Sequence, residues 1–509
     1  MTKVKFLTAD EAAAMIEDGA VIGLTGGGGG LVEASALHAA VESRFLASGH
    51  PRNLTCIHAL GIGVRQERGM NRFAHVGMTS RVIGGHWVWS PRMQQMARDN
   101  EIEAYVLPGG VIMQLMREVA AGRPGLITHV GLGTFVDPRL DGGRMNEAAK
   151  QNLTEIITID GRDYLRYLPV PVTVALLRGS YADENGNISL EEEPANLDIY
   201  AIAAAAHNSG GKVIFQVRGK VPRHSMKARE VRIPAALVDA VVVDETQRQG
   251  YDVVYDAALS GQDRRDDPAS PQPAFSSRLV IARRAQQELY ENAVINFGFG
   301  IPDQIAKLID RDGHAGRYFQ TIEHGTYGGR LMDGDLFGYA MNPSCMIDGP
   351  SQFDFYSGGG LDIAFLGFGE INAAGDVNVS KLGGNTVGPG GFIDIAQNAR
   401  KVVFCGTFDT GGTRLETGDG TLRVTSHGRI RKLVEKVDQI TFSGPQASVR
   451  GQHVIYVTER AVFELREDGV HLVEIAPGID LQADVLDRMG FTPRMEAPLS
   501  EMTSGLFKE

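Results

Sequence analysis

One acidic side chain lies in a setting that suits covalent chemistry. In FQTIEHGTYGGRL, Glu323 directly follows the strand-like residues 318–322 and precedes a bend that contains Gly325, Gly328 and Gly329. Because glycines clear space around it, a carboxylate at such a strand end is open to a bulky thioester, and carboxylates are established covalent nucleophiles. Most isolated glutamates are merely solvated, so the pattern by itself leaves an ordinary surface residue as the alternative.

Three glycine-rich turns are candidates for ligand binding: TGGGGG at 25–30, FGFGIP at 297–302 and GPGGF at 388–392. A strand that ends in glycine and opens a helix leaves backbone N–H groups unpaired, and these groups suit phosphates and oxyanions. The third turn precedes the helix-like IDIAQNAR, so its amides are candidates to bind a tetrahedral oxyanion. For any single glycine, a turn that sterically requires it is the simpler interpretation.

The first two turns give only weak support for a dinucleotide site. A GxGxxG pattern identifies no ligand unless an acidic residue is placed to bind the ribose after the next strand. Neither turn is followed by a convincing residue of that kind. A nicotinamide-dependent dehydrogenase is therefore a distant alternative.

The elements that carry the first two turns occur in the same order in both halves of the chain. AVIGLTGGGGGLVEASALHAAV begins at Ala20, and AVINFGFGIPDQIAKLI begins at Ala293. Each segment reads as a β-branched strand, a glycine turn and a helix rich in alanine, leucine or isoleucine. This similarity indicates that one supersecondary unit occurs twice.

A second pair of segments fixes the register of the repeat. ALLRGSYADENGNISL from Ala175 matches AFLGFGEINAAGDVNV from Ala364, and the strands KVIFQV and KVVFCG begin at Lys212 and Lys401. Both pairs are 189 residues apart. Because chance rarely preserves one offset across a hairpin, a helix and a strand, we predict an α/β fold with two open α/β domains of related topology.

The segment between the halves has the composition of a linker. Residues 246–275 are rich in Asp, Arg, Gln and Pro and lack sustained periodicity. We predict an N-terminal α/β domain at 1–245, this linker, and a C-terminal α/β domain at 276–509 that carries the acidic turn, with the active site at the domain interface. A long surface loop within one larger domain is the alternative.

Composition limits the class of protein. The 509 residues are 43% hydrophobic and 22% charged, as in a globular enzyme, and the net charge of −12 argues against a nucleic-acid partner. Cys56, Cys345 and Cys405 have neither disulfide nor zinc spacing, so we expect reduced thiols and no metal. Because no signal-peptide core and no run of roughly 20 apolar residues occurs, we expect a cytoplasmic protein without a membrane partner.

Longer motifs resemble those of family I CoA-transferases. The turn after Glu323, together with FLGFGEINAAGDVNVSKLGG, GPGGFIDIAQNARKVVFCGTF and RPGLITHVGLGTFVDPR, is similar to segments of the single-chain propionate and acetate CoA-transferases. The resemblance spans nearly the whole chain. It implies a CoA-transferase-like fold and an enzyme that moves CoA from a short-chain acyl-CoA to a carboxylate such as acetate, propionate, butyrate or acetoacetate.

The resemblance also implies roles for particular residues. It makes Glu323 the nucleophile of a ping-pong reaction, through a glutamyl-CoA thioester. The implied partners in catalysis are Gly390 and Gly391, which help to bind the thioester oxygen, and the implied contacts to coenzyme A are Phe299, Gly300, Ile301 and Gly388. Acyl-CoA and a carboxylate are the substrates, no prosthetic group is expected, and a homo-oligomer is expected, with a tetramer favoured.

One departure from the family concerns the donor that polarises the acyl oxygen. Related enzymes often place a glutamine between proline and glycine, whereas this chain reads Pro108, Gly109 and Gly110. His324 is a candidate replacement, although a structural histidine is the simpler interpretation. Similarly, the basic stretch at 218–232 is either a solvated surface or a patch that faces the phosphates of CoA.

Two rival functions use the same scaffold. An acyl-CoA hydrolase would resolve the intermediate with water instead of a second acid. A non-catalytic binding protein would need no nucleophile, and the intact turn around Glu323 argues against it.

Overall fold

The computed structural model describes residues 4–266, 269–271 and 273–509, without the side chains of residues 496 and 497. Within that part of the chain, two ten-stranded sheets and their helices form a mixed α/β fold. The predicted α/β class is confirmed. None of the described helices is long and apolar enough to cross a membrane.

The α-helices flank the sheets, and short 3₁₀ turns and one π turn join them. The α-helices are α1 (Ala9–Ala13), α2 (Ser35–Ser48), α3 (Pro91–Arg98), α4 (Gly109–Ala120), α5 (Ile199–Asn208), α6 (Ala257–Ser260), α7 (Ser277–Gln286), α8 (Ile301–Arg311), α9 (Gly349–Ser357), α10 (Phe392–Asn398) and α11 (Gly444–Val449). The 3₁₀ turns are Gly69–Phe73, Ala235–Leu237, Ala315–Arg317, Gly334–Leu336, Leu486–Arg488 and Ser504–Phe507, and the π turn is Leu481–Val485.

The strands fall into two sets, one in each half. Those of the first half are β1 (Lys5–Leu7), β2 (Val21–Leu24), β3 (Leu54–His58), β4 (Thr79–Gly84), β5 (Glu103–Val106), β6 (Leu126–Thr128), β7 (Thr154–Ile159), β8 (Arg162–Tyr167), β9 (Val174–Asp183), β10 (Ile188–Ser189), β11 (Lys212–Val221), β12 (Val231–Ile233) and β13 (Ala240–Val243). Those of the second half are β14 (Val294–Phe297), β15 (Phe319–Ile322), β16 (Thr326–Tyr327), β17 (Arg330–Leu331), β18 (Ala340–Met341), β19 (Cys345–Met346), β20 (Ile363–Gly367), β21 (Glu370–Ile371), β22 (Val377–Asn378), β23 (Lys381–Leu382), β24 (Asn385–Thr386), β25 (Lys401–Cys405), β26 (Asp409–Thr410), β27 (Arg414–Gly418), β28 (Thr421–Ser426), β29 (Ile430–Arg431), β30 (His453–Val457), β31 (Ala461–Arg466), β32 (Gly469–Ile475) and β33 (Arg494–Glu501).

The first sheet has the order β1-β13-β11-β9-β2-β3-β4-β5, and each neighbouring pair along this path is parallel. Strand β9 is almost continuously buried. This is the expected pattern for a parallel strand that helices cover on both faces, and it explains why its sequence lacks polar alternation.

The second sheet has the order β19-β16-β15-β14-β20-β25-β30-β31-β32-β33. Its centre, from β15 to β30, is parallel, while the pairs β15/β16, β30/β31 and β31/β32 are antiparallel. The glycine turns after its parallel strands therefore lie at one edge, where the carboxyl ends of α/β sheets form ligand sites.

The repeat predicted from the sequence is present in both sheets. Strands β9 and β20 begin at Val174 and Ile363, and β11 and β25 begin at Lys212 and Lys401. In each half the two strands pair in parallel through these first residues. The orders β13-β11-β9-β2-β3 and β30-β25-β20-β14-β15 are equivalent, so the two halves have related topology.

The predicted linker packs against both halves where it is described. It contains the buried residues Ala258 and Leu259 in α6, and the N–H of Asn342 donates to the carbonyl of Ala258 at 2.8 Å. The larger apolar core also combines residues of both halves. Residues 267, 268 and 272 of the linker, and residues 1–3 of the N-terminal domain, lie outside the described residues, and the domain boundaries stay a prediction.

Candidate active site

The carboxyl ends of the two sheets face each other. The N–H of Gly109, after β5, donates to the carbonyl of Gly390 at 2.7 Å, and the N–H of Gly390 donates to the carbonyl of Gly85, after β4, at 2.8 Å. The N–H of Trp87 donates to the carbonyl of Val387 at 2.8 Å. These three backbone hydrogen bonds bring the loops of the first half onto the glycine turn that precedes α10.

Glu323 lies at this junction. It directly follows β15, and its side chain retains 24% exposure. A methyl group on Gly391 would collide with Oε2 of Glu323, so the carboxylate lies directly against the glycine backbone. Only a residue without Cβ permits this approach, which gives Gly391 a steric reason to be glycine.

The electrostatic setting of Glu323 is dominated by the loss of water. Burial raises the pKa of its carboxyl group to about 7. Within residues 4–266, 269–271 and 273–509, no group that would lower this pKa, such as a hydrogen-bond donor or a cation, acts on the carboxyl. A carboxylate that is poorly solvated and lacks donors is a stronger nucleophile than one in water.

His324 does not supply the missing donor. Its Nδ1 is 3.1 Å from the carbonyl of Gly338, which can only accept, so Nδ1 carries the proton. Burial lowers the pKa of His324 to about 4, so the ring is neutral near pH 7 and Nε2 is an acceptor. Nε2 lies 4.0 Å from Oε1 of Glu323, beyond hydrogen-bonding distance. A structural role fits this geometry better than a catalytic one.

The turn before α10 offers fewer free amides than its sequence suggests. The N–H of Gly388 donates to the carbonyl of Ser380 at 3.0 Å, and that of Gly390 is taken by Gly85. In the described part of the chain, no acceptor pairs with the N–H of Gly391. In this conformation, therefore, the free amide of this turn belongs to the glycine that touches Glu323.

Comparison with known proteins identifies the family. The sequence profile described as "Coenzyme A transferase" matches residues 6–244. The chain is 42% identical to "Acetate CoA-transferase YdiF" of Escherichia coli K12, over 99% of this chain and 95% of that protein. The chain belongs to the CoA-transferase family. It is also 44% identical to "Caffeate CoA-transferase" of Acetobacterium woodii, over 99% and 98% of the two chains.

The fold of this CoA-transferase agrees with that of a solved relative. The crystal structure of the acyl-CoA transferase YdiF apoenzyme from Escherichia coli O157:H7 superimposes with a TM-score of 0.95 at 41% identity, over 99% of this chain and 96% of that one. A second structure of YdiF, described as a thioester complex with CoA, gives a TM-score of 0.94. The match covers both sheets and the junction between them.

The second predicted turn lies on the same sheet edge as Glu323. Phe299 follows β14, the strand beside β15, is 52% exposed and packs edge-on against Phe337 at 5.2 Å between ring centres. The N–H of Gly300 donates to Asp303 at 3.0 Å and opens α8, while Ile301 is buried. An exposed aromatic ring at the carboxyl end of a parallel strand is a suitable surface for the chain of a thioester ligand.

The packing gives a steric reason for the missing glutamine. A Cβ atom on Gly109 would lie 3.0 Å from the carbonyl carbon of Gly390, and one on Gly110 would collide with the ring of Phe353. The two halves approach so closely here that a side chain would separate the loops. A side-chain donor at Gly109 or Gly110 would therefore require these loops to move apart.

Three site residues were missed by sequence analysis. They are His86, which faces Gly388 and Gly390, Phe353 of α9, and the fully buried Asp394 of α10. Burial lowers the pKa of His86 to about 4 and raises that of Asp394 to about 8. The signal that was available for Asp394 is its place in GPGGFID, three residues after Gly391, which the family resemblance predicted to help bind the thioester oxygen.

Most cations of the basic stretch at 218–232 already have partners. Arg218 pairs with Glu192 at 2.8 Å, Lys227 with Glu230 at 2.8 Å, and Arg232 with Asp348 at 2.5 Å; Lys220 lies over the ring of Phe6. Paired cations are weaker phosphate ligands because the existing partner must be displaced. The structure thus favours the solvated-surface interpretation of this stretch.

Proposed function

We propose that this CoA-transferase moves CoA from a short-chain acyl-CoA to a carboxylate by a ping-pong reaction in which Glu323 carries CoA as a glutamyl thioester. The observation that carries the proposal is the position of its carboxylate: at the end of a parallel strand, in contact with a glycine that has a free N–H, at the junction of the two sheets. The raised pKa, about 7, supports a nucleophile that is poorly solvated but ionised at neutral to slightly alkaline pH.

The reaction balances without ATP or a redox step. The Glu323 carboxylate attacks the acyl carbonyl and expels CoA thiolate, which leaves an acyl-glutamyl anhydride. The thiolate then attacks the glutamyl carbonyl, releases the first acid and forms the glutamyl thioester. A second carboxylate attacks that thioester, and the same two steps in reverse produce the new acyl-CoA and regenerate Glu323.

The amide of Gly391 is the best candidate to stabilise the oxyanions. Each addition step places negative charge on an oxygen of Glu323 or of the acyl group, and a pre-positioned donor favours that state over the ground state. Loss of one such donor typically costs about 3–4 kcal/mol of transition-state stabilisation. Gly391 suits this role because its N–H has no acceptor among the described residues and its backbone touches Glu323.

The substrate class is proposed from relatives of two kinds. One relative is named for acetate and another for caffeate, at 42% and 44% identity. We propose acetate, propionate, butyrate or acetoacetate as the acids. Competition between acetate and caffeate as acceptors for acetyl-CoA tests this, since a methylene group changes binding by only about 1–3 kcal/mol, whereas an aromatic ring requires a much larger pocket.

Intact-protein mass spectrometry after incubation with acetyl-CoA alone tests the intermediate. We expect an adduct with the mass of CoA less water on the peptide that contains Glu323, and none in Glu323→Ala. Glu467→Gln, a change at an exposed residue, is the matched control and should form the adduct at the wild-type rate. An adduct that persists in Glu323→Ala would refute the proposal.

Product analysis distinguishes a transferase from a hydrolase. With propionyl-CoA and acetate, a transferase yields acetyl-CoA and conserves the thioester, whereas a hydrolase releases free CoA whether or not acetate is present. We expect thioester conservation. Free thiol produced at equal rates with and without acetate would instead establish hydrolysis.

For the whole protein, we propose a division into domains at 1–245 and 276–509 joined by the linker 246–275, a cytoplasmic location and a homo-oligomer with a tetramer favoured. Light scattering coupled to size-exclusion chromatography measures the copy number, and a mass of one 54.9 kDa chain would refute an oligomer. Proteolysis near 246–275 that yields two folded fragments would support the division.

A further inference from the structure

We propose that Asp394 is a positioning residue for the transfer reaction, because its carboxyl group fastens the amino terminus of α4 to α10 and so holds the glycine turn against Glu323. Asp394 belongs to the second half and α4 to the first. This inference rests on the proposed role of Glu323. It extends that role by assigning the contact that keeps the two halves in register at the nucleophile.

A side-chain hydrogen bond joins α10 of the second half to α4 of the first half. Oδ2 of Asp394 accepts a hydrogen bond from the N–H of Gly110 at 3.1 Å. This N–H is one of those in the first turn of α4 that have no acceptor within the helix. One residue earlier, the N–H of Gly109 donates to the carbonyl of Gly390. The first turn of α4 thus finds two of its acceptors in the glycine turn 388–391 and in α10, which cap this helix from across the junction.

The ring of Phe353 links this contact to the nucleophile. A Cβ atom on Gly110 would collide with the Phe353 ring near its Cγ atom. A Cβ atom on Gly391 would lie 3.0 Å from Cζ, at the opposite end of the ring. Oδ1 of Asp394 lies at the Gly110 end, and Oε2 of Glu323 lies at the Gly391 end. A shift of α4 relative to α10 is therefore transmitted through one rigid ring to the glycine that touches Glu323.

Asp394 is fully buried, and its Oδ1 has no hydrogen-bond partner in the described part of the chain. Burial first, and then the charge of Glu323, raise the pKa of Asp394 to about 8. Near pH 7 it is thus mostly a neutral acid that accepts from Gly110 without adding a second negative charge. Burial raises the pKa of Tyr167 of β8, which is close enough for the charge of Asp394 to raise that pKa further. The helices α4 and α9, which pack against α10, carry Arg117 and Glu118, and Asp354 and Tyr356; Arg117 and Asp354 are ion-paired at 2.5 Å.

The neutral state predicts an effect at alkaline pH. Above about pH 8, ionised Asp394 places a negative charge near Glu323 and the developing oxyanion, which disfavours each addition step. We expect kcat to fall on this limb. In Asp394→Asn the acceptor for Gly110 remains but no charge can form, so the fall should disappear while the rate at pH 7 stays within about threefold of wild type.

The test compares Asp394→Asn with Asp394→Ala by steady-state kinetics with propionyl-CoA and acetate from pH 6 to pH 9.5. We expect Asp394→Ala to lower kcat about 10- to 100-fold at pH 7 with a smaller change in KM, because the reacting groups are misplaced while the ligand contacts persist. An Asn variant as impaired as Ala, or one that retains the alkaline fall, would overturn the inference, as would an Ala variant with wild-type kcat.

Adduct formation separates this inference from the proposed function. Wild type and both variants are incubated with acetyl-CoA, and the rate of CoA attachment to the Glu323 peptide is measured by mass spectrometry. If wild type forms no adduct, the role of Glu323 itself fails. If wild type forms the adduct and Asp394→Ala forms it equally fast, only the positioning role of Asp394 is wrong. Circular dichroism and the Tm confirm that each variant is folded.

Discussion

The carboxyl ends of the two sheets are built alike but carry different chemistry. Val21 of β2 pairs with Thr55 of β3, and Val294 of β14 pairs with Phe319 of β15, which places Ala59 at the position equivalent to Glu323. Ala59 is 3% exposed, and its carbonyl oxygen lies so close to Gly85, the residue after β4, that a Cβ atom on Gly85 would collide with it. At these equivalent positions, one half therefore contributes a buried alanine and the other the carboxylate that we propose as the nucleophile.

This difference shows how one scaffold serves two purposes. An alanine at a buried strand end adds apolar packing at no electrostatic cost, whereas a carboxyl group there is held out of water and its pKa rises to about 7. The proposed role of Glu323 accounts for this destabilising group, since sites of chemistry commonly retain groups that cost stability.

The largest expected effect is the loss of transfer in Glu323→Gln. An amide of the same shape cannot attack the acyl carbonyl, and removal of a covalent nucleophile typically lowers kcat by about 10⁴- to 10⁶-fold. Initial rates of propionyl-CoA:acetate exchange measure the loss, with protein assayed directly after purification so that deamidation does not restore glutamate. An exchange rate within tenfold of wild type would show that Glu323 is not the nucleophile and that, like Ala59, it takes no part in the chemistry.

A second test places a methyl group on Gly391. In Gly391→Ala the Cβ atom collides with Oε2 of Glu323 and lies 3.0 Å from Phe353, while the backbone φ of −80° suits alanine. We expect kcat/KM to fall about 100-fold because the carboxylate is displaced, with little change in Tm. Gly316→Ala, at a position with open space, is the control and should keep the wild-type rate. Equal rates for the two variants would remove Gly391 from the site.

The third test is the acidic limb of the pH profile. In the proposed mechanism only ionised Glu323 attacks, and burial raises its pKa to about 7, so kcat/KM should fall about tenfold for each pH unit well below that value. An exposed carboxyl would shift this limb to about pH 4.3. A profile that stays flat from pH 8 to pH 5 would show that Glu323 is solvated in the working enzyme.

The smallest effect is on stability. The carboxyl of Glu323 ionises near pH 7 in the folded protein and near 4.5 when unfolded, so folding favours the protonated form and stability is lost as pH rises between these values. Glu323→Gln, which cannot ionise, should therefore raise the free energy of unfolding by about 3 kcal/mol at pH 8 and by little at pH 4.5. Urea denaturation at the two pH values measures the difference, and an equal effect at both would contradict it.

Much of the fold was readable from periodicity and register. The offset of 189 residues between Lys212 and Lys401 predicted two equivalent strands, and the structure starts β11 and β25 at those residues. The strand before Glu323 and the glycines after it were also visible, because strands and turns depend on local composition. By contrast, the contact of Gly110 with Asp394, 284 residues apart, leaves no local signal in either segment.

The candidate site shows the same contrast between local sequence signals and contacts that form only in the folded chain. Sequence placed Gly388, Gly390 and Gly391 together, yet the amides of Gly388 and Gly390 already have acceptors, and only tertiary contacts determine which N–H stays free. His324 was a candidate donor because of its position in the chain, whereas its ring is held by Gly338 and points an acceptor toward Glu323. Hydrogen-bond partners distant in sequence cannot be assigned from local patterns.

By itself, the sequence determined the repeated α/β architecture, because hydrophobic periodicity is a local property of the chain, and its family motifs singled out Glu323 as the predicted nucleophile. The tertiary structure alone decided the environment of that carboxylate. The pKa of Glu323 and the freedom of the Gly391 amide depend on groups brought together from both sheets, since desolvation and hydrogen bonding are set by distance in space and not by distance along the chain.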